Sequence, residues 1–541
     1  MKAPFGRTLF DVLAEQAERH GDVPAVIAGA AEISYAELAA RANRVASALA
    51  ARGIRRGDRI GILVGNRPEW LEICLGASGA GAVAVPLSTW STRRELEFLL
   101  ADADIRALFA LAEFGDRDYA RDLAMLAPEI AEGRPAEKFP RLREVILVEP
   151  RAGDRFTSYA DFIDAGVAGA VALPPGTASS AADDGLILYT SGSSAHPKAV
   201  RLAQFAIIEN GFNIGERQGL RAGDRVLLSP PLFWSYGSAN ALPAVLTHGA
   251  TLVLQEKFEP GAAIDLIERH RCTALYTLPG MTSAIVRHPA FSRARVATLR
   301  TGLTIGSEQD VVDAAEQLGA SEICNIFGAT ETCGNCCVTW HHWPLERRAS
   351  CQGEPLPGNE LRFVDAESGR TVAAGEPGLV EVRGYVAAGY AGASADQNAT
   401  AFTADGFYRT GDVGRLDASG AFVFIGRSTE MIKRAGINVS PAEVEDVLRR
   451  HPGVALAGVV GVPDRERGEL VVAFVVPVAD GAVTVEQLLA HCRSVASKYK
   501  IPDRIEIRSA LPQTPTGKLQ RRDLKQSAAE LIAQTGRPAH G

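Results

Sequence analysis

The sequence lacks the features that mark several whole classes of protein. Its 541 residues hold only eight cysteines, and their spacing does not resemble a secreted disulfide framework, so a reducing compartment is expected. No apolar stretch reaches the roughly 18 residues of a membrane span. The longest, such as Ala77–Leu87, are interrupted by Gly and Pro. The start, MKAPFGRTLFDVLAEQAERHGD, has no continuous apolar region and reads as an amphipathic helix; no signal peptide is expected, and the cytoplasm is the expected location. A basic excess is also missing: 57 Lys and Arg face 64 Asp and Glu, a net charge of -7, which argues against a general nucleic-acid binder. The 53 glycines and 29 prolines are about 15% of the chain, too few for a low-complexity polypeptide.

What remains is an ordinary globular composition, 46% apolar and 22% charged. At roughly 100–200 residues per domain, this length implies two to four packed units. Helix and strand patterns alternate over the first hundred residues. Ser34 and Glu37 have capping-box spacing, and the helix they open should stop at Gly53, a C′ residue. Arg59–Val64 and Ala82–Leu87 read as strands and Trp70–Ser78 as the helix between them. Such alternation predicts βαβ units and a parallel sheet. From Glu113 to Ala182 the pattern weakens, which predicts a loop-rich excursion; Leu186–Tyr189 is then a strand entering a Ser/Gly loop. Strand and helix signals continue through Val245–Leu254, Ala263–His270 and Ala274–Leu278. A β-rich stretch spans Leu379–Arg383, Gly406–Tyr408 and Ala421–Ile425.

The character changes near residue 428. Ser440 and Glu443 form a second capping box with Pro441 at the favoured first helical position, and the helix should run to about Arg450. Strands at Ala455–Val462, Leu470–Val478 and Arg504–Arg508 and a helix near Val485–Ser497 complete a small α+β unit. The tail after Ala528 is expected to fray. The overall expectation is an α/β protein: a large N-terminal domain (1–428) of βαβ-type sheets plus a β-rich subdomain, then a small mobile α+β domain (429–541).

The sharpest local signal is Tyr189-Thr190-Ser191-Gly192-Ser193-Ser194-Ala195-His196-Pro197-Lys198, a strand that runs into a loop of hydroxyls and small residues ending in a lysine. Hydroxyls, backbone N–H groups and an ammonium are what phosphate oxygens require, although the loop is not a Walker A sequence. This loop resembles the phosphate-binding signature of the adenylate-forming superfamily: acyl-CoA synthetases, luciferases and peptide-synthetase adenylation domains. Phe327-Gly328-Ala329-Thr330-Glu331 resembles its aromatic-Gly-x-Thr-Glu motif, and Tyr408-Arg409-Thr410-Gly411-Asp412 its Tyr-Arg-Thr-Gly-Asp motif. Gly426-Arg427 with Ile432-Lys433 and Gly436–Glu445 resembles its hinge block, and Pro515-Thr516-Gly517-Lys518 its C-terminal lysine block. The five segments stand in family order and span nearly the whole chain.

The resemblance implies ATP, Mg2+ and CoA as cofactors and a small carboxylic acid as substrate, with no nucleic-acid partner. It implies that Thr190, Ser191, Gly192, Ser193, Ser194 and Lys198 embrace the ATP phosphates and that Phe327 stacks on adenine. Thr330 would contact the α-phosphate region, Glu331 (with Thr190 nearby) would hold Mg2+, Asp412 would accept from both ribose hydroxyls, and Arg427 would support ribose and phosphate. Lys518 would be the catalytic cation, because carboxylate attack on phosphate brings two anions together. Glu430 occupies the hinge position, Lys433 and Gly436 lie where CoA would pass, and the basic pair Lys433-Arg434 could meet CoA phosphates. Acetylation of Lys518 by a lysine acetyltransferase would remove its charge. Ala195 and Ala199 stand where the family usually has glycine, Phe327 where it usually has Tyr, and Thr429-Glu430 where it usually has Lys-Asp.

The acyl pocket is expected between Phe233–Gly237, Gly302–Ser307 and Gly328–Cys333, with Trp234, Tyr236, Thr304, Gly306, Gly328 and Cys333 as its lining. Phe233-Trp234-Ser235-Tyr236-Gly237 resembles a stretch of benzoate-type ligases. The expected activity is therefore an AMP-forming carboxylate–CoA ligase acting on a compact aromatic, alicyclic or short-to-medium acid. Alternatives are a unit that loads a carrier protein in trans, a non-catalytic acyl-nucleotide binder and a luciferase-like oxygenase. Cys333, Cys336 and Cys337 followed by His341 and His342 suggest zinc or redox chemistry, but no second CxxC supports it, and small pocket or core residues are the expectation.

Overall fold

A computed structural model describes residues 6–167, 179–190, 197–434, 437–464, 467–479, 482–496, 498–513 and 519–535. Ser191, Gly192, Ser193, Ser194, Ala195, Gly436 and Lys518 lie outside these residues.

Two largely parallel sheets form the body of the N-terminal part. The first runs in the order Glu354–Pro355, Cys337–Val338, Cys324–Phe327, Thr301–Thr304, Ala274–Tyr276, Arg225–Leu228, Thr251–Leu254, Pro24–Ala28, Ala31–Ser34. The second runs Lys198–Ala203, Asp184–Thr190, Val83–Pro86, Arg59–Leu63, Ala107–Ala110, Glu144–Leu147, Thr157–Ser158. Their central strands are apolar on both faces, as parallel strands covered by helices must be. Val226 and Leu228 face the core between the sheets, while Leu227 faces the outer helices; Leu186 and Leu188 share that inner core, while Ile187 turns outward. Helices Leu9–His20, Tyr35–Ala51, Pro68–Gly79 and Gln204–Gln218 fill the inner layer.

A four-stranded antiparallel sheet, Glu360–Val364, Gly378–Arg383, Tyr408–Leu416 and Phe422–Arg427, carries the next part of the chain. The C-terminal part is built on a separate sheet in which Gly468–Pro477 pairs with Val454–Asp464, Ile432–Arg434 and Arg504–Ile507. Helices Pro441–Arg449 and Val485–Val495 cover one face, and Arg521–Thr535 covers the other. The α/β architecture with a large N-terminal and a small C-terminal part is thus as the sequence implies.

Several local expectations change. Ser34 caps its helix by accepting from the Glu37 N–H at 3.2 Å, but Glu37 binds Arg41 instead of reaching back. Ser440 likewise accepts from Glu443 N, while the Glu443 carboxylate pairs with Lys500 at 3.0 Å. The stretch from Glu113 to Ala182 is no excursion: Glu144–Leu147 is an integral strand paired in parallel with Ala107–Ala110. Its four-residue apolar run is too short to announce itself by periodicity. The tail does not fray after Ala528, because the helix continues to Thr535 and packs Leu531 and Ile532 on the sheet.

Candidate active site

Thr190 ends one strand of a hairpin and Lys198 begins the other, and the two are register partners. The hairpin therefore fixes both ends of the hydroxyl-rich loop. Ala199, in place of glycine, is buried in the ladder opposite Tyr189 and needs no unusual backbone. The Lys198 ammonium lies 5.0 Å from the centre of the Tyr390 ring.

Glu331 sits in a tight 3-10 turn, Thr330–Thr332, that follows the strand Cys324–Phe327. The chain doubles back so closely that a Cβ on Gly328 would collide with the Gly334 carbonyl, so only glycine fits there. Thr332 pins the turn, accepting from Ala329 N at 2.9 Å and donating to Ala329 O at 3.0 Å. The Glu331 carbonyl accepts from Ala387 N at 2.7 Å, and its carboxylate accepts from the Tyr390 hydroxyl at 2.9 Å. Thr330 Oγ1 lies 3.2 Å from Ser235 Oγ, which joins this turn to the Phe233–Gly237 segment.

Asp412 and Arg427 face each other across the strands Tyr408–Leu416 and Phe422–Arg427. Arg427 Nε is 2.8 Å from Asp412 Oδ1, yet among the described residues that oxygen accepts no directed hydrogen bond. Burial, only partly offset by Arg427, pushes the Asp412 carboxyl up to about 6. Gly411, at φ +74, leaves open space where a side chain would stand. A buried carboxylate oxygen that has an ion-pair partner but accepts no hydrogen bond suits a ligand that brings hydroxyl donors.

Phe327 is more enclosed than a free stacking platform. Its ring centre lies 4.3 Å from that of Phe422, it packs with Val380 and Val382, and it is 7% exposed. Tyr236, expected to line the acyl pocket, donates to Leu303 O at 2.8 Å and Thr277 O at 3.1 Å beside the Tyr276 ring. Thr304 is fully buried and its hydroxyl has no hydrogen-bond partner among the described residues. Trp234 stands at the edge of a cavity of about 240 Å³ that Trp90, Phe114, Phe233, Phe258 and Met281 also line.

Cys333, Cys336 and Cys337 are fully buried, and His341 binds Glu322 at 3.0 Å. Among the described residues no group of His, Cys, Asp and Glu is placed to hold a metal by itself. Burial raises the Cys333 thiol to about 12, the opposite of a reactive thiolate.

The C-terminal part meets this region through contacts that the sequence does not reveal. Arg449 binds Asp310 through two hydrogen bonds, 2.6 and 3.0 Å, and reaches Ser307 Oγ at 3.2 Å. Arg450 pairs with Glu308 at 3.0 Å. Asp310 lies directly against Gly306. Glu430 pairs with Arg521 at 2.8 Å. Lys433 is exposed, but its neighbour Arg434, which looks available for CoA in sequence, is committed to Asp503 at 2.5 Å and to two backbone carbonyls. Tyr390 is the main residue of the site that sequence reasoning misses: it lies among Gly and Ala, where no charge or motif marks it.

The sequence profile described as AMP-binding enzyme matches residues 13–391, and that of its C-terminal domain matches residues 443–518. The chain belongs to the AMP-binding enzyme family. A relative named putative acyl-CoA synthetase YngI, from Bacillus subtilis, is 30% identical over 540 residues, covering 97% of this chain and 98% of its own. The medium-chain acyl-CoA ligase ACSF2, mitochondrial, of Rattus norvegicus is 30% identical over 92% of this chain and 84% of its own. Among solved structures, the anthranilate CoA ligase AuaEII in complex with anthranoyl-AMP superimposes with a TM-score of 0.85 at 28% identity, covering 99% of this chain and all of that one. ATP-bound MatB from Rhodopseudomonas palustris gives 0.83 at 26% identity, covering 97% of this chain and 100% of that one. This family member is an AMP-forming acyl-CoA ligase that uses ATP, Mg2+ and CoA. Among the described residues no helix is long and apolar enough to cross a membrane.

Proposed function

We propose that this ligase activates a compact carboxylic acid, aromatic, alicyclic or short-to-medium in chain, in two steps. The observation that carries this reading is the contact between Ser235 and Thr330. It sets the aromatic wall of the acyl pocket against the turn that bears Glu331. The acid's carboxylate then lies beside Thr330, and its body lies toward Tyr236, whose two hydrogen bonds close the space behind it.

In the first step a carboxylate oxygen attacks the α-phosphorus of ATP and the bond to the bridging oxygen of pyrophosphate breaks. No base is required, because the acid is already ionised at pH 7. Asp412 accepts from the ribose hydroxyls, Arg427 holds the ribose and phosphate edge, and Phe327 floors the base site. Thr190, Ser191, Gly192, Ser193, Ser194 and Lys198 hold the phosphates. Glu331 offers a hard carboxylate oxygen, which fits Mg2+ shared with substrate phosphates. A cation held there would neutralise charge on the phosphate oxygens. Lys518 supplies the cation that meets the developing charge.

In the second step the CoA sulfur attacks the acyl carbonyl, its proton leaves to solvent, and AMP departs. The boundary near 428 with Glu430 as hinge lets the C-terminal domain exchange faces between the steps, and Lys433 and Gly436 border the CoA approach. The protein works in the cytoplasm, and acetylation of Lys518 would switch off the first step. A second reading places the tail of a medium-chain acid in the aromatic cavity beside Trp234, favoured by its apolar lining.

A panel of carboxylates assayed for pyrophosphate release with and without CoA, and in parallel for acyl-CoA, tests the proposal. Compact acids should support both products. Turnover only with long-chain acids, or acyl transfer only to a carrier protein, would refute it.

A further inference from the structure

The residue that connects the candidate cation ligand to the candidate phosphate-binding lysine lies outside every motif of the sequence. Tyr390 is 7% exposed and is delivered from the loop between Arg383 and Ala395. This loop is laced to the strand Lys198–Ala203 by three backbone bonds: Arg201 N to Gly389 O at 3.1 Å, Ala388 N to Arg201 O at 3.0 Å and Ala391 N to Ala199 O at 2.8 Å. Its Ala387 N also donates to the Glu331 carbonyl at 2.7 Å. The Tyr390 N–H is fixed by Asn398 Oδ1 at 3.0 Å, and its ring packs on Phe402.

Held this way, Tyr390 has two working surfaces. Its hydroxyl donates to Glu331 Oε1 at 2.9 Å, and its ring face lies 5.0 Å beneath the Lys198 ammonium. A carboxylate with one oxygen engaged by a fixed donor keeps a defined orientation, and its other oxygen stays available for a hard cation.

We propose that Tyr390 is a positioning residue of the MgATP site: its hydroxyl orients Glu331 toward the divalent cation, and its ring seats Lys198 at the phosphates. The proposal rests on the reading that Glu331 is a cation ligand, and its test separates the two. Tyr390→Phe removes the hydroxyl and keeps the ring; Glu331→Gln removes the ligand charge. Both are compared with the parent protein by calorimetric ATP binding at stepped Mg2+ without acid, by the Mg2+ dependence of pyrophosphate release with acid present, and by melting temperature.

Loss of a partner that orients a metal ligand typically weakens the metal roughly tenfold. Tyr390→Phe should therefore raise the Mg2+ concentration for half-maximal ATP binding by about that factor, while kcat at saturating Mg2+ stays within about twofold. An unchanged Mg2+ midpoint in Tyr390→Phe beside a shifted one in Glu331→Gln would overturn the role of Tyr390 alone. A lowered melting temperature with an unchanged midpoint would do the same, reducing Tyr390 to packing. An unchanged midpoint in Glu331→Gln would overturn the cation-ligand reading itself, and the proposal with it.

Discussion

Replacing Asp412 with Asn should make the protein more stable and a worse enzyme. The carboxyl is 3% exposed, and burial outweighs the attraction of Arg427, holding its pKa at about 6 against 3.8 in an unfolded chain. The folded state therefore binds this proton more tightly than the unfolded state does. The penalty is absent below about pH 3.8, grows through the interval and is complete above about 6. Two units at ~1.4 kcal/mol each give a cost of about 3 kcal/mol at pH 8, and roughly half of that at pH 5. Asn has the same shape and carries no charge to desolvate, while Arg427 is half exposed and stays solvated without its partner. Asp412→Asn should raise the melting temperature by several degrees at pH 8, and the gain should shrink toward pH 5. The same change should raise KM for ATP by roughly 10-fold or more, since a hydrogen bond to a charged acceptor is worth about 1.5–3 kcal/mol. ATP binding by the parent protein should weaken as pH falls through about 6. Fluorescence-monitored melting at several pH values, with ATP titrations alongside, decides the matter. A variant no more stable than the parent at pH 8, or a difference that ignores pH, would refute the reasoning.

Two further substitutions probe the C-terminal part. Lys518→Ala should cut acyl-AMP formation by about 10²-fold or more and largely spare thioester formation from supplied acyl-AMP, measured as separate half-reactions; equal losses would contradict its role. Arg449→Ala removes both hydrogen bonds to Asp310 and should release the contact between the two parts of the chain. Limited proteolysis near residues 428–440 should then accelerate about 5- to 30-fold, as about 1–2 kcal/mol allows, and the two half-reactions should change unequally; unchanged cleavage would show that the pair holds nothing in place.

The parallel strands were legible because burial on both faces leaves apolar runs such as Leu186–Leu188 and Ala82–Leu87. Glu144–Leu147 was not, because its short run sits among polar residues and only its neighbour Ala107–Ala110 explains why it is a strand. The capping spacings gave the two helix starts correctly through Ser34 and Ser440, but their glutamates found better partners in Arg41 and Lys500, and spacing carries no information about those. The same limit applies at the site. Glu331 and Asp412 are conspicuous as motif members, and the hairpin does bring Thr190 opposite Lys198. Tyr390 and the Arg449–Asp310 pair are contacts between segments 59 and 139 residues apart, which no local pattern encodes. Arg434 misled in the opposite direction: a basic residue in a promising place proved to be a partly buried structural partner of Asp503.

The central claim is that a carboxylate oxygen attacks the α-phosphorus of ATP in the site bounded by Thr330, Glu331 and Asp412. It is tested most directly with a compact acid labelled with ¹⁸O in its carboxylate, incubated with ATP, Mg2+ and CoA, the products being weighed by mass spectrometry. The account predicts one ¹⁸O in the AMP released and none in pyrophosphate. Label in inorganic phosphate accompanied by ADP, or AMP without label, would contradict it.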